Sequence, residues 1–323
     1  MPRLLSLLIL CAISAFTWSA PASAGDWPAH PVTIIVPFGP GGNTDMMARL
    51  AAQDLSTKFG QNFIVENRPG PGGAIGTRLV AKAAPDGYTL LFCASSMITL
   101  TPQLEKLDFD PVKQLEPITN VGTGAQVIAI KRSLPATTLP EFIAYAKANP
   151  GKLNFTVAGT QNLSHFSPVR LFNATGVDVV MVPARSEPAA ISDLMSGVAD
   201  LYFGNASALL PLAKSDNIRV IAVSTPERLP AFPDIPTVAE TVPGFQSSSW
   251  NGFVAPIGTP GPIIDAIRNE ISAFVKTPDV SARLMSLGII PGGLGKDEIA
   301  AAFQREHDAY ATAIKIVGIP TSD

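Results

Sequence analysis

The sequence predicts an α/β fold of two lobes, each a largely parallel sheet flanked by helices, joined by a two-strand hinge. Three observations point there. Short apolar, β-rich runs alternate with stretches of helical periodicity. That rhythm occurs twice, over stretches of similar size. The chain leaves the first stretch near 120–127 and returns near 248–253, so two crossings connect the lobes.

The elements follow in order. "VTIIV" (32–36) is the first strand, followed by a helix near 44–58 with Met46, Met47, Leu50, Ala51 and Leu55 on one face. "NFIVEN" (62–67) is the next strand, then "RPGPGG", a helix over about 74–83, and "PDG" turning into "YTLLFCA" (88–94). The second stretch opens with "GAQVIAI" (124–130) and a helix over 138–148 that stops at "NPG". Strands follow at "KLNFTVA" (152–158), "VDVVMV" (177–182), "ADLYF" (199–203) and "IRVIAVS" (218–224), with helices near 164–175 and 188–196. "PERLPAFPDIPTVAETVPGF" is too rich in proline for regular structure and predicts a surface crossing. "WNGFVAP" (250–256) is one more strand, with helices near 261–276, 278–287 and 296–316. In the last, Ile299, Phe303, Tyr310 and Ile314 lie near one stripe. The expected division is 25–126 plus 251–323 for lobe 1 and 127–250 for lobe 2.

The N-terminus sets the compartment. Arg3, an apolar run from Leu4 to Phe16 and the small-x-small triplet Ala22-Ser23-Ala24 read as a signal peptide over 1–24, cleaved near Ala24. The apolar run is short for a bilayer span. A soluble, exported, periplasmic protein is expected. Cys11 leaves with the leader, so Cys93 stands alone, in the apolar context "TLLFCASS", as a buried inert thiol. The net charge of −3 falls one unit further when Arg3 is removed. Mild acidity argues against nucleic acid as a partner.

The chemistry gathers in turns after strand ends, where open α/β sheets bind ligands. "FGPGGNTD" follows the first strand, "SSM" (95–97) the third, "GTQNLSH" (159–165) follows "NFTVA", "PARSEP" (183–188) follows "VDVVMV", and "GNAS" (204–207) follows "ADLYF". A helix N-terminus offers unsatisfied N–H groups and a partial positive charge, and glycine admits close approach to the backbone. The glycine turn therefore suits an anion. Asn43, Thr44, Ser95 and Ser96 read equally as ligand contacts or as turn and cap residues. Asp45 reads as a helix-start acid or as a partner for a ligand donor. Arg185 faces either the ligand or solvent. "ENRPGPGGAIGT" (66–77) looks ligand-like but reads more readily as a connector over the first lobe, and Trp250 as hinge core or cleft mouth.

Other functions lack their signatures. The turn has no Lys-Ser/Thr ending for a P-loop, "GPGGNT" is not GxGxxG, and no GxSxG elbow occurs. His30, His165 and His307 have no metal-ligand spacing. No acid–base–nucleophile set is visible. A non-enzyme with no cofactor and no metal is expected.

The ordered set "IIVPFGPGGNTDMMAR", "VENRPGPGGAIGT", "KAAPDGYTLL", "ANPGKLNF", "PDIPTVAE" and "GFVAPIGTP" resembles the Bug-type periplasmic solute receptors of tripartite tricarboxylate transporters, from about Trp27 to Gly318. The resemblance implies a type II periplasmic-binding-protein fold, a Venus flytrap. It implies a small organic carboxylate as ligand (a di- or tricarboxylate, an aromatic acid or an acidic amino acid), delivered to a two-component membrane permease by a monomer. A sensing role, feeding a signalling protein, is the alternative. It carries ligand contact onto Phe38, Gly42, Thr44, Asp45, Ser95, Ser96, Thr160, Ser164, His165 and Asn205; Gly39, Asn43, Ala184 and Arg185 complete the candidates. Three stretches depart from the pattern. Many relatives read "VPYKG" where this chain has Val182-Pro183-Ala184-Arg185-Ser186, Asp-Asn where it has Gly204-Asn205, and Gly-Thr-x-x-His-Leu-Ala at "GTQNLSHFSP". Loss of the aromatic at Ala184 predicts room for a larger or aromatic acid.

Overall fold

The computed structural model describes residues 27–159 and 162–317, so the signal peptide expected at 1–24 and the candidate Thr160 lie outside the described residues. The first sheet centres on β1 (Val32–Val36), flanked in parallel by β2 (Phe63–Asn67) and β3 (Thr89–Ala94). Next to β3 runs β9 (Ser248–Pro256), antiparallel, and then β4 (Leu115–Lys131), which also carries the short β10 (Ile289–Pro291). In the second sheet β5 (Asn154–Ala158) lies parallel between β6 (Val180–Ala184) and β7 (Leu201–Asn205). There β4 pairs antiparallel with both β7 and β8 (Ile218–Val223). Each sheet is thus a parallel trio extended by antiparallel strands.

One strand serves both sheets. β4 pairs with β9 as far as Ala125 opposite Ser248, and with β7 from Gln126 opposite Asn205. The strand expected from residue 124 begins at Leu115. Its first half, "LEPITNVGT", carries Glu116, Pro117, Asn120 and Gly122, residues that disfavour regular strand. Two register shifts against β9, at Pro117/Thr119 and Asn120/Gly122, accommodate them.

Each lobe has its own core. Ile34, Met47, Leu55, Phe92, Phe253 and Ile267 centre the first, and Phe142, Phe155, Val157 and Phe203 the second. α1 (Asn43–Phe59) lays Met47, Ala51 and Leu55 on the sheet and ends at Gly60, whose left-handed φ of 68° allows its N–H to cap Ser56. Trp250 is buried with Ile35 and Leu91 and belongs to the core beside the crossing. Cys93 is buried too, and burial pushes its thiol pKa up. The stripe on the last helix, Lys296–Val317, divides its work. Ile299 and Phe303 pack with Trp250, whereas Tyr310 and Ile314 pack with Leu163 and Phe166 of the second lobe. Tyr310 meets Phe166 edge-on at 5.7 Å between ring centroids, so this helix ties the lobes together.

Candidate ligand-binding site

The glycine turn joins β1 to α1. The first intrahelical bond runs from Met46 N–H to Gly42 O, at 3.0 Å, so the amides of Asn43, Thr44 and Asp45 have no acceptor within the helix. Gly42 occupies the N-cap and brings no side chain to satisfy them. The turn is braced from behind instead. Asp45 accepts bonds from Gly41 N–H (3.0 Å), Asn67 Nδ2 (2.9 Å) and Arg49 Nε (3.0 Å). Burial alone pushes its carboxyl pKa up; the bonds from Arg49, Gly41 and Asn67 outweigh this and hold it below 3.8.

Asp45 therefore braces the turn and is not part of the pocket lining. Asp45→Ala should cost about 1–3 kcal/mol, because it strands Gly41 N–H and Asn67. The exposed Arg49 adds little to that figure. A folded-state pKa below the unfolded one gives stability that is present at neutral pH and lost as the carboxylate protonates, so wild type and variant should converge as pH falls below 3.8. Urea titrations of both proteins at pH 7 and pH 3 measure this; a constant gap would refute it.

A pocket of about 950 Å³, open mouth included, lies between the two lobes. Phe38, Gly39, Gly42, Asn43 and Thr44 from the glycine turn line it, with Ser96 from the turn after β3. Ser164, Arg185 and Asn205 line it from the second lobe. Four other candidates do not. Asp45 points back into its own turn, as above. Ser95 is buried and gives its hydroxyl to Glu306 Oε1 (2.6 Å), with Ser249 Oγ at 2.8 Å. His165 sits one position past Ser164 in the first turn of the helix Leu163–Thr175, where burial lowers its pKa. Ala184 ends β6 with its side chain in the second lobe's core beside Ala190 and Leu194. Ala184 is thus a core residue of the second lobe and not part of the pocket wall.

Residues with no strong local signal complete the wall. Pro69, Gly70 and Gly72 line it, so the stretch read as a connector is part of the site. Gln126 and Asn251 come from the crossing strands, and Ser249 beside them. Asn251 Oδ1 accepts from Thr44 Oγ1 at 2.7 Å, and Gln126 Oε1 from Ser247 Oγ at 2.9 Å. Asn162 caps the helix Leu163–Thr175, accepting from His165 N–H and Ser164 Oγ, which turns the Ser164 hydroxyl onto the cap.

The largest addition is Glu187, the first residue of helix Glu187–Ser196. Its carboxylate crosses to the other lobe, where Oε2 accepts from Asn43 N–H at 3.1 Å. Oε1 accepts from Asn205 Nδ2 (2.7 Å), Asn205 N–H (3.3 Å) and Tyr202 OH (3.4 Å). Burial pushes its pKa up from 4.5, and the bonds from Asn43, Asn205 and Tyr202 offset part of that. A second bond crosses the cleft, from Ser207 Oγ to Asn43 Oδ1 at 2.7 Å. In sequence Glu187 carries only the signal of an acid in a first helical turn.

Two lobes around a polar, turn-lined cleft, spanned by one shared strand, define a bilobal solute-binding protein. The particular family follows from comparison. Residues 47–318 match the model described as the tripartite tricarboxylate transporter family receptor, and the chain belongs to that family. It is 34% identical to Protein BugT of Bordetella pertussis over 322 residues, 98% of each chain. Among solved structures it is similar to R. palustris Rpa4515 with adipate, at TM-score 0.88 and 32% identity over 92% of this chain and all of that one. It is also similar to MatC from Rhodopseudomonas palustris with bound malate, at TM-score 0.83 and 30% identity over 89% of this chain and all of that one. Among the described residues, no helix is long and apolar enough to cross a membrane.

Proposed function

We propose that this protein is a periplasmic receptor that closes around one small organic carboxylate and hands it, as a monomer, to a two-component integral membrane permease. The moving bodies are 25–126 plus 251–323 and 127–250. The observation that carries this reading is the start of α1, where Gly42 brings no capping side chain and the glycine turn opens to a pocket lined by both lobes. Backbone N–H groups there are first donors to the carboxylate, each charged hydrogen bond contributing about 1.5–3 kcal/mol. Asn251 and Gln126, whose amide oxygens are already engaged, offer their N–H groups, and Arg185 supplies positive charge at the exposed rim. Ligand contact with both lobes favours the closed arrangement. The adipate and malate in two related structures support a carboxylate as the ligand class.

Thermal unfolding of ligand-free mature protein against mono-, di- and tricarboxylic, aromatic and amino acids tests the proposal. At ~100 times its dissociation constant the cognate acid should stabilise by about 2.7 kcal/mol, a rise of about 2–4 °C or more. Silence across the whole panel would reject a carboxylate ligand.

A further inference from the structure

The pocket carries its own carboxylate. Among the described lining residues Glu187 is the one acid and Arg185 the one strong base, and they stand two positions apart in sequence. Arg185 is exposed at the rim, whereas Glu187 is only 8% exposed. A Cβ placed on Gly42 would lie 3.4 Å from Glu187 Oε2, so this oxygen borders the bare backbone of the glycine turn. It already takes the Asn43 N–H that would otherwise be free for a ligand anion.

The donor count sharpens this. Oε1 is supplied by Tyr202 and by two groups of Asn205. Oε2 has Asn43 N–H as its partner among the described residues, so it is the less saturated of the two oxygens. What Oε2 can take from a ligand is a donor. A second carboxylate brought to this end has no N–H to give Oε2 and competes with it for the Asn43 N–H.

We infer that Glu187 is a specificity-determining residue that selects a ligand with one carboxylate and, at its other end, an N–H donor such as a carboxamide, against the matching dicarboxylate. The inference rests on the carboxylate-receptor reading. In this account the amide end lies at the start of α1 and donates to Glu187 Oε2, while the carboxylate at the other end is held by Arg185 and the side-chain N–H groups of Gln126 and Asn251. Selectivity comes from repulsion of the wrong ligand as much as from contact with the right one.

Matched probes isolate the effect: succinate and its half-amide, and adipate and its half-amide, titrated calorimetrically into ligand-free mature protein at pH 7.5. The wild-type protein should bind at least one half-amide about tenfold or more tighter than its diacid. Glu187→Gln should shrink or invert that ratio by about tenfold, chiefly by gaining affinity for the diacid. Carboxylates bound with no half-amide preference in the wild type, or a ratio unmoved in Glu187→Gln, would overturn this inference and leave the receptor reading standing. Failure of every carboxylate to bind would overturn both. If Glu187→Gln does not fold, the wild-type ratio decides alone.

Discussion

Gly252→Ala will lower the melting temperature of the mature protein by about 6 °C or more, a loss on the order of 3 kcal/mol. Gly252 lies on β9 between Cys93 of β3 and Asn120 of β4. A Cβ there would press into the Thr119 carbonyl oxygen and lie 2.6 Å from Asn120 Cα. Both obstacles are backbone, so no rotamer change relieves them. They stand close because β4 shifts register against β9 on each side of this point. Relief requires the crossing strands to part, and their pairing is what joins the first sheet to the strand it shares with the second. Asn251 and Ser249, both pocket residues, ride on the same segment, so ligand affinity should fall with stability. Urea midpoints of wild type and variant, with the slope unchanged, are the measurement. An unaltered midpoint would show that the hinge pair yields easily and that the close approach is not structurally required.

The crossing also marks where local sequence stops being informative. The alternation of strands and helices is legible because period 2 and period 3.6 are properties of neighbours: "VTIIV" and the Met47–Ala51–Leu55 face need no distant partner to be recognised. The first half of β4 was not legible, since Pro117, Asn120 and Gly122 are strand residues only by virtue of their pairing with β9. The site divides the same way. The glycine turn and Ser96 stand out because ligand turns follow strand ends. Asp45 and Ser95 are adjacent to those turns and share their composition, yet one braces Gly41 and the other faces Glu306. The apolar run ends at 182 in the sequence and puts Ala184 in a turn; the strand continues through Pro183 and Ala184, which leaves Ala184 in the core. Glu187 is the instructive omission. As a first-turn acid it already has an ordinary local purpose, and its bond to Asn43 joins residues 144 positions apart. Only the packing of one lobe on the other creates that contact.

Glu306→Gln should remove a pH-dependent weakness at the base of the site. Glu306 lies on the C-terminal helix, and its carboxylate is enclosed although the residue keeps some surface. Burial pushes its pKa up to about 7, and bonds from Ser95 Oγ (2.6 Å) and Tyr310 OH (3.1 Å) offset part of that rise. The unfolded chain releases this proton near the ordinary 4.5. Between the two values the folded state holds the extra proton, so its stabilising effect is complete below 4.5 and is lost as pH rises through about 7. The loss across that window is on the order of 3 kcal/mol. Glutamine fills the same space, and the two hydroxyls can turn to donate or accept. Wild type and Glu306→Gln should therefore diverge as pH rises from 5 to 8, with the variant gaining. Glu187 is common to both proteins and cancels in the difference. Urea unfolding at these two pH values decides the matter; parallel pH profiles would mean that Glu306 titrates normally. The consequence reaches the ligand, because Ser95 links Glu306 to Ser249 in the pocket wall, and Tyr310 carries the same helix onto Phe166 of the other lobe. A carboxylate charging at this junction loosens the element that holds the two lobes in register, so the weakening with pH should appear in closure as well as in unfolding.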